Sequence, residues 1–231
     1  IKGFPLIAAN EAREFSETDF ASTFEIVFEN GLFNQARSKL DGLPTGIRFT
    51  TLADELGNGA VFSLPEDENR SLIALNTAFM QDGFCLSIED DTQLDDPLVI
   101  RFINTASAQG QHLRNRIVMG ENSRLNILEI HEGIGTYFTN PVTTISVSKG
   151  AELGHFKLQN ESHSAYHLAL TDTDIHEDAI YRNFSLSLGS KLSRNEFLCT
   201  IVGPGAESHL NGAYLMRGRQ HCDTTTVTEH R

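Results

Sequence analysis

Asn122-Ser123-Arg124-Leu125, Gly150-Ala151-Glu152-Leu153 and Asp178-Ala179-Ile180-Tyr181 decide the architecture of this chain, because one pattern returns at a fixed interval. The small residues Ser123, Ala151 and Ala179 stand 28 residues apart, and Gly205-Ala206-Glu207 continues the series 27 residues later. A second series, opened by Tyr137, Tyr166 and Arg194 at intervals of 29 and 28, introduces stretches rich in Thr, Ser and apolar residues. Repeats of this length mark stacked supersecondary units, none of which can bury its apolar face alone.

The repeating element reads as strand. Leu125 and Ile127 alternate with Arg124 and Asn126, and Ile145 and Val147 alternate with Thr144, Ser146 and Ser148. Phe184, Leu186 and Leu188 alternate in the same way with Ser185 and Ser187, which assigns the aromatic and aliphatic residues to the buried face. Period-2 alternation over short runs marks half-buried strands. The breaks at Gly120-Glu121-Asn122, Lys149-Gly150, His176-Glu177-Asp178 and Gly203-Pro204-Gly205 hold residues that tolerate tight, left-handed turns. From about residue 97 onward the fixed period favours a parallel β-solenoid, or β-helix, over a jelly roll or plain β-sandwich, whose strands rarely keep one interval.

Residues 1–96 read as a small N-terminal α/β region feeding the solenoid at 97–231. Asn10 to Phe20 is charged and could open a helix at Ser16. Phe24, Ile26 and Phe28 alternate and run into Asn30-Gly31, a hairpin signal. Thr51 to Leu56 fits a short helix. Leu72, Leu75 and Phe79 stand at helical spacing and predict a helix over Glu68 to Gln81 with that face on the core, ended by Asp82-Gly83. Phe84 to Ile88 predicts a strand, and Glu89 to Pro97 an acidic turn.

Across 231 residues the net charge is −13, which disfavours a nucleic-acid partner. No apolar run reaches the ~18 residues of a membrane span. Three cysteines, at 85, 199 and 222, form no CxxC and no even disulfide framework, so a reducing, cytoplasmic compartment is expected. The chain opens on Ile1 without a signal-peptide pattern and stops at Arg231 inside an apparent strand, so a C-terminally truncated solenoid is expected.

Little in the chain looks catalytic. His112, His131, His155, His163 and His167 are scattered without helical HxxxH spacing and read as solvated or turn residues. On the C-terminal strand, period 2 places Cys222, Thr224, Thr226, Thr228 and His230 on one face and Asp223, Thr225, Val227 and Glu229 on the other. A thiol and an imidazole suit soft or borderline metals. Roughly 26 Å of strand separates them, however, and a Thr ladder with a packed Cys is the simpler reading. Cys199, beside Phe197, Leu198, Ile201 and Val202, reads as buried and inert, as does Cys85. There is no GxSxG, GxxxxGK[ST] or GxGxxG. No catalytic, cofactor-binding or metal residue is assigned.

Leu75-Asn76-Thr77-Ala78-Phe79-Met80-Gln81-Asp82-Gly83, His209-Leu210-Asn211-Gly212 and Cys222-Asp223-Thr224-Thr225-Thr226-Val227-Thr228-Glu229-His230 together resemble the SufD family, scaffold subunits of the SUF iron–sulfur cluster assembly system. The hairpin Ile26 to Gly31 and Arg114-Asn115-Arg116 fit the same pattern, and the resemblance runs along the whole chain. SufB, the paralogue, shares the solenoid. The resemblance implies a right-handed parallel β-helix and a non-catalytic scaffold that pairs with a SufB-like paralogue and, through a C-terminal helical domain, with a SufC-like ATPase. It also implies a link to iron supply, with the cluster assembled transiently by the full complex. The family's cluster-associated histidine lies beyond the Asp223 to His230 motif, so no cluster ligand carries over, and His230 does not stand in for it. A homodimer through the last strands is a further expectation for a chain of this extent. The alternatives from other classes are an extracellular carbohydrate-acting β-helix enzyme, which needs clustered carboxylates on an exposed sheet face, and a purely structural solenoid.

Overall fold

A computed structural model describes residues 22–59, 71–105 and 109–231. The charged segment from Asn10 to Phe20 lies outside the described residues. In chain order the elements are β1 (Phe24–Glu29), β2 (Leu32–Phe33), β3 (Ile47–Thr51), α1 (Leu52–Gly57), α2 (Ser71–Phe79), β4 (Phe84–Ile88), β5 (Leu98–Asn104), β6 (Gly110–Gln111), β7 (Arg114–Met119) and β8 (Arg124–Gly133). They continue with β9 (Phe138–Thr139), β10 (Val142–Val147), β11 (Glu152–Asn160), β12 (Tyr166–Ile175), β13 (Ile180–Ser187), β14 (Leu192–Ile201), β15 (Glu207–Tyr214) and β16 (His221–His230).

The strands fall into two sheets, one ordered β15-β13-β11-β8-β5-β1-β2 and the other β16-β14-β12-β10-β7-β4-β3. Successive strands alternate between the sheets along the repeat, and each pairs in parallel with its equivalent one rung away, which makes a β-solenoid. Leu125, Leu153 and Tyr181 are register partners on three consecutive rungs, as the 28-residue spacing predicts. The second series is less regular: Tyr166 pairs with Phe138 and Leu192, so Tyr137 and Arg194 are offset from it. From the N-terminal region, β1 joins the first sheet parallel to β5 and β4 joins the second parallel to β7.

The period has a physical origin in the turns. Asp91, Asn122, Gly150, Asp178 and Gly205 all have φ between 53° and 71°, a left-handed conformation that suits Asn, Asp and Gly. These residues stack. The Asp91 N–H donates to Glu121 O, Asn122 to Lys149 O, Gly150 to Glu177 O and Asp178 to Pro204 O, at 2.8–3.0 Å. Each turn therefore satisfies its backbone against the next turn, and side chains reinforce the stack, as in Asn122 Nδ2 to Asp91 Oδ1 at 3.2 Å. Ser123, Ala151 and Ala179 sit just inside this corner, at 1%, 0% and 0% exposure, where only small side chains fit.

The interior changes character along its length. In the first rungs it is apolar: Ile26 pairs with Ile100 and Phe28 with Phe102, all essentially buried, facing Phe84, Leu86, Ile117 and Met119. Each such side chain contributes about 1.5–3 kcal/mol by leaving water. In the later rungs the same inward columns carry Asn183, Ser185 and Ser187, all buried. This reverses the expected facing of β13: Phe184 points outward and is 40% exposed, while Ser185 and Ser187 are 6% and 3% exposed. Alternation gives the period but not which face is inside, and the polar set wins here because it continues the column of Tyr181.

The hairpin forms as expected, with β1 and β2 antiparallel around Asn30 (φ 52°) and Gly31 (φ 81°). Thr51 caps α1 through a reciprocal capping box with Asp54. On α2 the buried face is Ile73 and Asn76; Phe79 is 61% exposed, not core-facing. Ile73 packs against Val142, Leu170 and Leu198 on the outside of the second sheet. Asn76 is drawn inward because its amide donates to Leu113 O at 2.9 Å and Asn140 O at 2.7 Å.

Candidate functional site

The columns that are apolar in the first rungs become ionisable in the middle of the solenoid. Leu98 is followed by Ile127 and His155, Ile100 by Glu129 and Lys157, and Phe102 by His131 and Gln159. From the opposite sheet Thr139 is followed by His167, and the turn after β11 supplies Glu161. Every one of these ionisable side chains is buried, Lys157 at 5% exposure being the most accessible.

Two carboxylates organise the cluster. Glu129 accepts from Nε2 of His131 and from Nε2 of His155 at 2.7 Å, with Lys157 Nζ 3.6 Å away. Burial pushes the Glu129 carboxyl up, but the Lys157 charge and the two histidine hydrogen bonds outweigh it and hold Glu129 well below the usual carboxylate range. The Tyr181 hydroxyl sits 3.1 Å from Nδ1 of His155, so Tyr181 donates to a ring whose other nitrogen serves Glu129. Burial brings the His131 ring down to about 4 despite its contact with Glu129, so it is neutral at pH 7.

Glu161 lies 2.9 Å from Nδ1 of His167 and accepts from Gln159 at 2.8 Å, Ser190 at 3.2 Å and Thr139 at 3.2 Å. Burial pushes it up, and the His167 ring, followed by His131 and Gln159, brings it down to about 2. The His131 and His167 rings meet edge to face with centroids 4.9 Å apart, which joins the two halves of the cluster. His167 Nε2 has no hydrogen-bond partner although the residue is 0% exposed. One ligand atom each from His131, Glu161 and His167 lies within 4.8 Å of the other two.

The expectation that His112, His131, His155 and His167 are solvated or turn residues is therefore incorrect; they are 8%, 1%, 1% and 0% exposed, and only His163 of the five is exposed. They are inside because the solenoid converts sequence positions 28 apart into direct neighbours. The missed signal was the repeat itself: once Leu125 and Leu153 are taken as inward, Ile127, Glu129, His131, His155, Lys157 and Gln159 follow on the same face by period 2.

The C-terminal strand is where it was expected. Cys222, Thr224, Thr226 and Thr228 continue the inward columns of Ser193, Asn195, Phe197 and Cys199, and His230 pairs with Ile201 at the far end. The structure brings Cys222 and His230 no nearer each other. Cys199 is buried, with its sulfur 3.2 Å from Ser208 Oγ, and burial raises its thiol pKa; the thiol of buried Cys85 is pushed up to about 11 by burial and then by Glu55. On the outer face of the first sheet, a shallow groove holds Glu152 and Asp95. Each is tied to an arginine at 3.0 Å, Arg182 and Arg124 respectively. Among the described residues no helix is long and apolar enough to cross a membrane.

Residues 102–231 match the family model described as SUF system FeS cluster assembly, SufBD core domain. The chain is similar to an iron–sulfur cluster assembly SufBD family protein of Synechocystis sp., at 28% identity over 218 residues, covering 86% of this chain and 48% of that protein. It is also similar to Protein ABCI7, chloroplastic, of Arabidopsis thaliana, at 24% over 222 residues, covering 90% of this chain and 46% of the relative. A SufBD family protein of Staphylococcus epidermidis is 29% identical over 161 residues, covering 68% of this chain and 34% of its own length. The chain thus spans about half the length, or less, of these curated relatives.

Proposed function

The chain belongs to the SufBD family of SUF-system iron–sulfur cluster assembly proteins, and from that premise we propose that it acts as a SufD-like, non-catalytic scaffold subunit in the cytoplasm. In this reading it pairs with a SufB-like paralogue and works with a SufC-like ATPase, and the iron–sulfur cluster is cargo built by the whole complex. The observation that carries the reading is the match of the core-domain family over residues 102–231, the stretch in which the parallel register is continuous. Sequence features that favour SufD over SufB are the N-terminal hairpin and the Leu75 to Gly83 run.

The test mixes the chain with the SufB-like paralogue and the SufC-like ATPase and measures complex mass by light scattering. Cluster assembly from iron and desulfurase-derived sulfur is then followed by the near-410-nm absorbance and by transfer to an apo-ferredoxin. A stoichiometric complex with assembly above that of the paralogue alone is expected. Absence of a complex at tens of micromolar, or polysaccharide cleavage by the chain alone, would overturn the reading.

A further inference from the structure

We propose that His131, Glu161 and His167 form an internal binding site for a divalent first-row transition metal of the iron(II)–zinc class. Two imidazoles and one carboxylate, with ligand atoms within 4.8 Å of one another, converge inside the solenoid. That donor set suits borderline divalent ions and leaves coordination positions open. It is a poor match for calcium or magnesium, which take oxygen donors.

The hydrogen bonding around the three residues matches what a metal requires. Nε2 of His131 donates to Glu129, while Nδ1 of His167 lies 2.9 Å from Glu161 and 3.0 Å from Thr139 Oγ1. A neutral imidazole that donates from one nitrogen keeps a lone pair on the other. The His131 ring is thus oriented by the Glu129 carboxylate and offers its other nitrogen bare, the arrangement by which outer carboxylates fix metal-bound histidines. His167 offers Nδ1, whose 2.9 Å separation from Glu161 suits two donors on one ion and lets the ion take the place of the proton between them. Gln159, Ser190 and Thr139 hold the Glu161 carboxylate in place. His155 and Lys157 are directed at Glu129 instead and belong to the surround. Cys222 lies two rungs from His167 along the same column, through Ser193, hence about 10 Å away and beyond reach of the same ion. The inference rests on this donor set alone and holds whether or not the chain acts in cluster assembly.

Cobalt(II) is the probe. Equilibrium dialysis of the 231-residue chain against cobalt(II), under reducing conditions at pH 7.5, is expected to retain one ion per chain, with visible d–d absorption of a nitrogen–oxygen shell. X-ray absorption is expected to show histidine scattering at about 2.0–2.1 Å and no sulfur at about 2.3 Å. His167→Gln and Glu161→Gln should each lose the ion, while His163→Gln, at an exposed position, should keep it. Circular dichroism checks that the variants fold. If they do not, the wild-type spectrum alone decides. No retained ion in the wild type, a sulfur-containing shell, or folded His167→Gln binding as well as the wild type would overturn the proposal.

Discussion

Lys157 Nζ stands 3.6 Å from Glu129 Oε1 across two neighbouring rungs, and both side chains are sealed inside the solenoid. Neither charge has water to fall back on. Replacing Lys157 with Met leaves Glu129 with its histidine hydrogen bonds but no countercharge. Urea denaturation is expected to show a loss of about 3–5 kcal/mol. Lys149→Met, which breaks an exposed and solvent-screened pair with Glu177, should leave the urea midpoint essentially unchanged.

The reversed facing of β13 separates two phenylalanines that look alike in sequence. Phe197 is 5% exposed and Phe184 is 40% exposed. Phe197→Ala should cost about 3–5 kcal/mol. Phe184→Ala should cost less than about 1 kcal/mol, as befits a ring on the outer sheet surface. Equal losses in thermal denaturation would contradict the assigned phase.

Buried thiols make the alkaline limb of stability testable. The Cys85 thiol is pushed up to about 11, against about 8.5 for a free cysteine. Between those values the unfolded chain releases a proton that the folded chain keeps. The contribution is therefore fully present below about pH 8.5 and is lost as pH rises through about 11. Cys85→Ala should flatten the fall in unfolding free energy over that window. At pH 8 iodoacetamide should modify half-buried Cys222 well before Cys85 or Cys199, read by mass spectrometry.

Close approach of rungs at the turns makes one glycine far less replaceable than another. A Cβ on Gly189 would lie 2.3 Å from the backbone N and O of Glu161, whereas one on Gly57 meets nothing within 4 Å. Gly189→Ala should cost about 1–3 kcal/mol by forcing those turns apart. Gly57→Ala, in the last turn of α1, should be neutral or stabilise by up to about 1 kcal/mol. Chemical denaturation of both variants checks the contrast.

The spacing of Ser123, Ala151 and Ala179 carried the architecture because a solenoid repeats its turn geometry, and turn geometry restricts residue type. The cluster at Glu129, His131, His155, Glu161 and His167 escaped because a buried polar residue is locally indistinguishable from a solvated one. Only its register against the neighbouring rung reveals it. The same ambiguity misplaced Phe184, since β13 has apolar residues on its outer face and Ser and Asn within. On α2, Phe79 looked like a core residue from spacing, but Asn76, held by two carbonyls, sets the rotation of the helix.

The stacked left-handed turns at Asn122, Gly150, Asp178 and Gly205 also make chain length a quantised variable. Removing a whole 28-residue coil, from one such turn to the next, returns every strand to an equivalent partner. Deleting a single residue between them exchanges inside for outside along the strand that follows. In β8 that slip would carry Glu129 and His131 to the outer surface and bring Leu128 and Ile130 inward. The fold can therefore grow or shrink by complete coils, while the charged interior fixes the count of residues within each one.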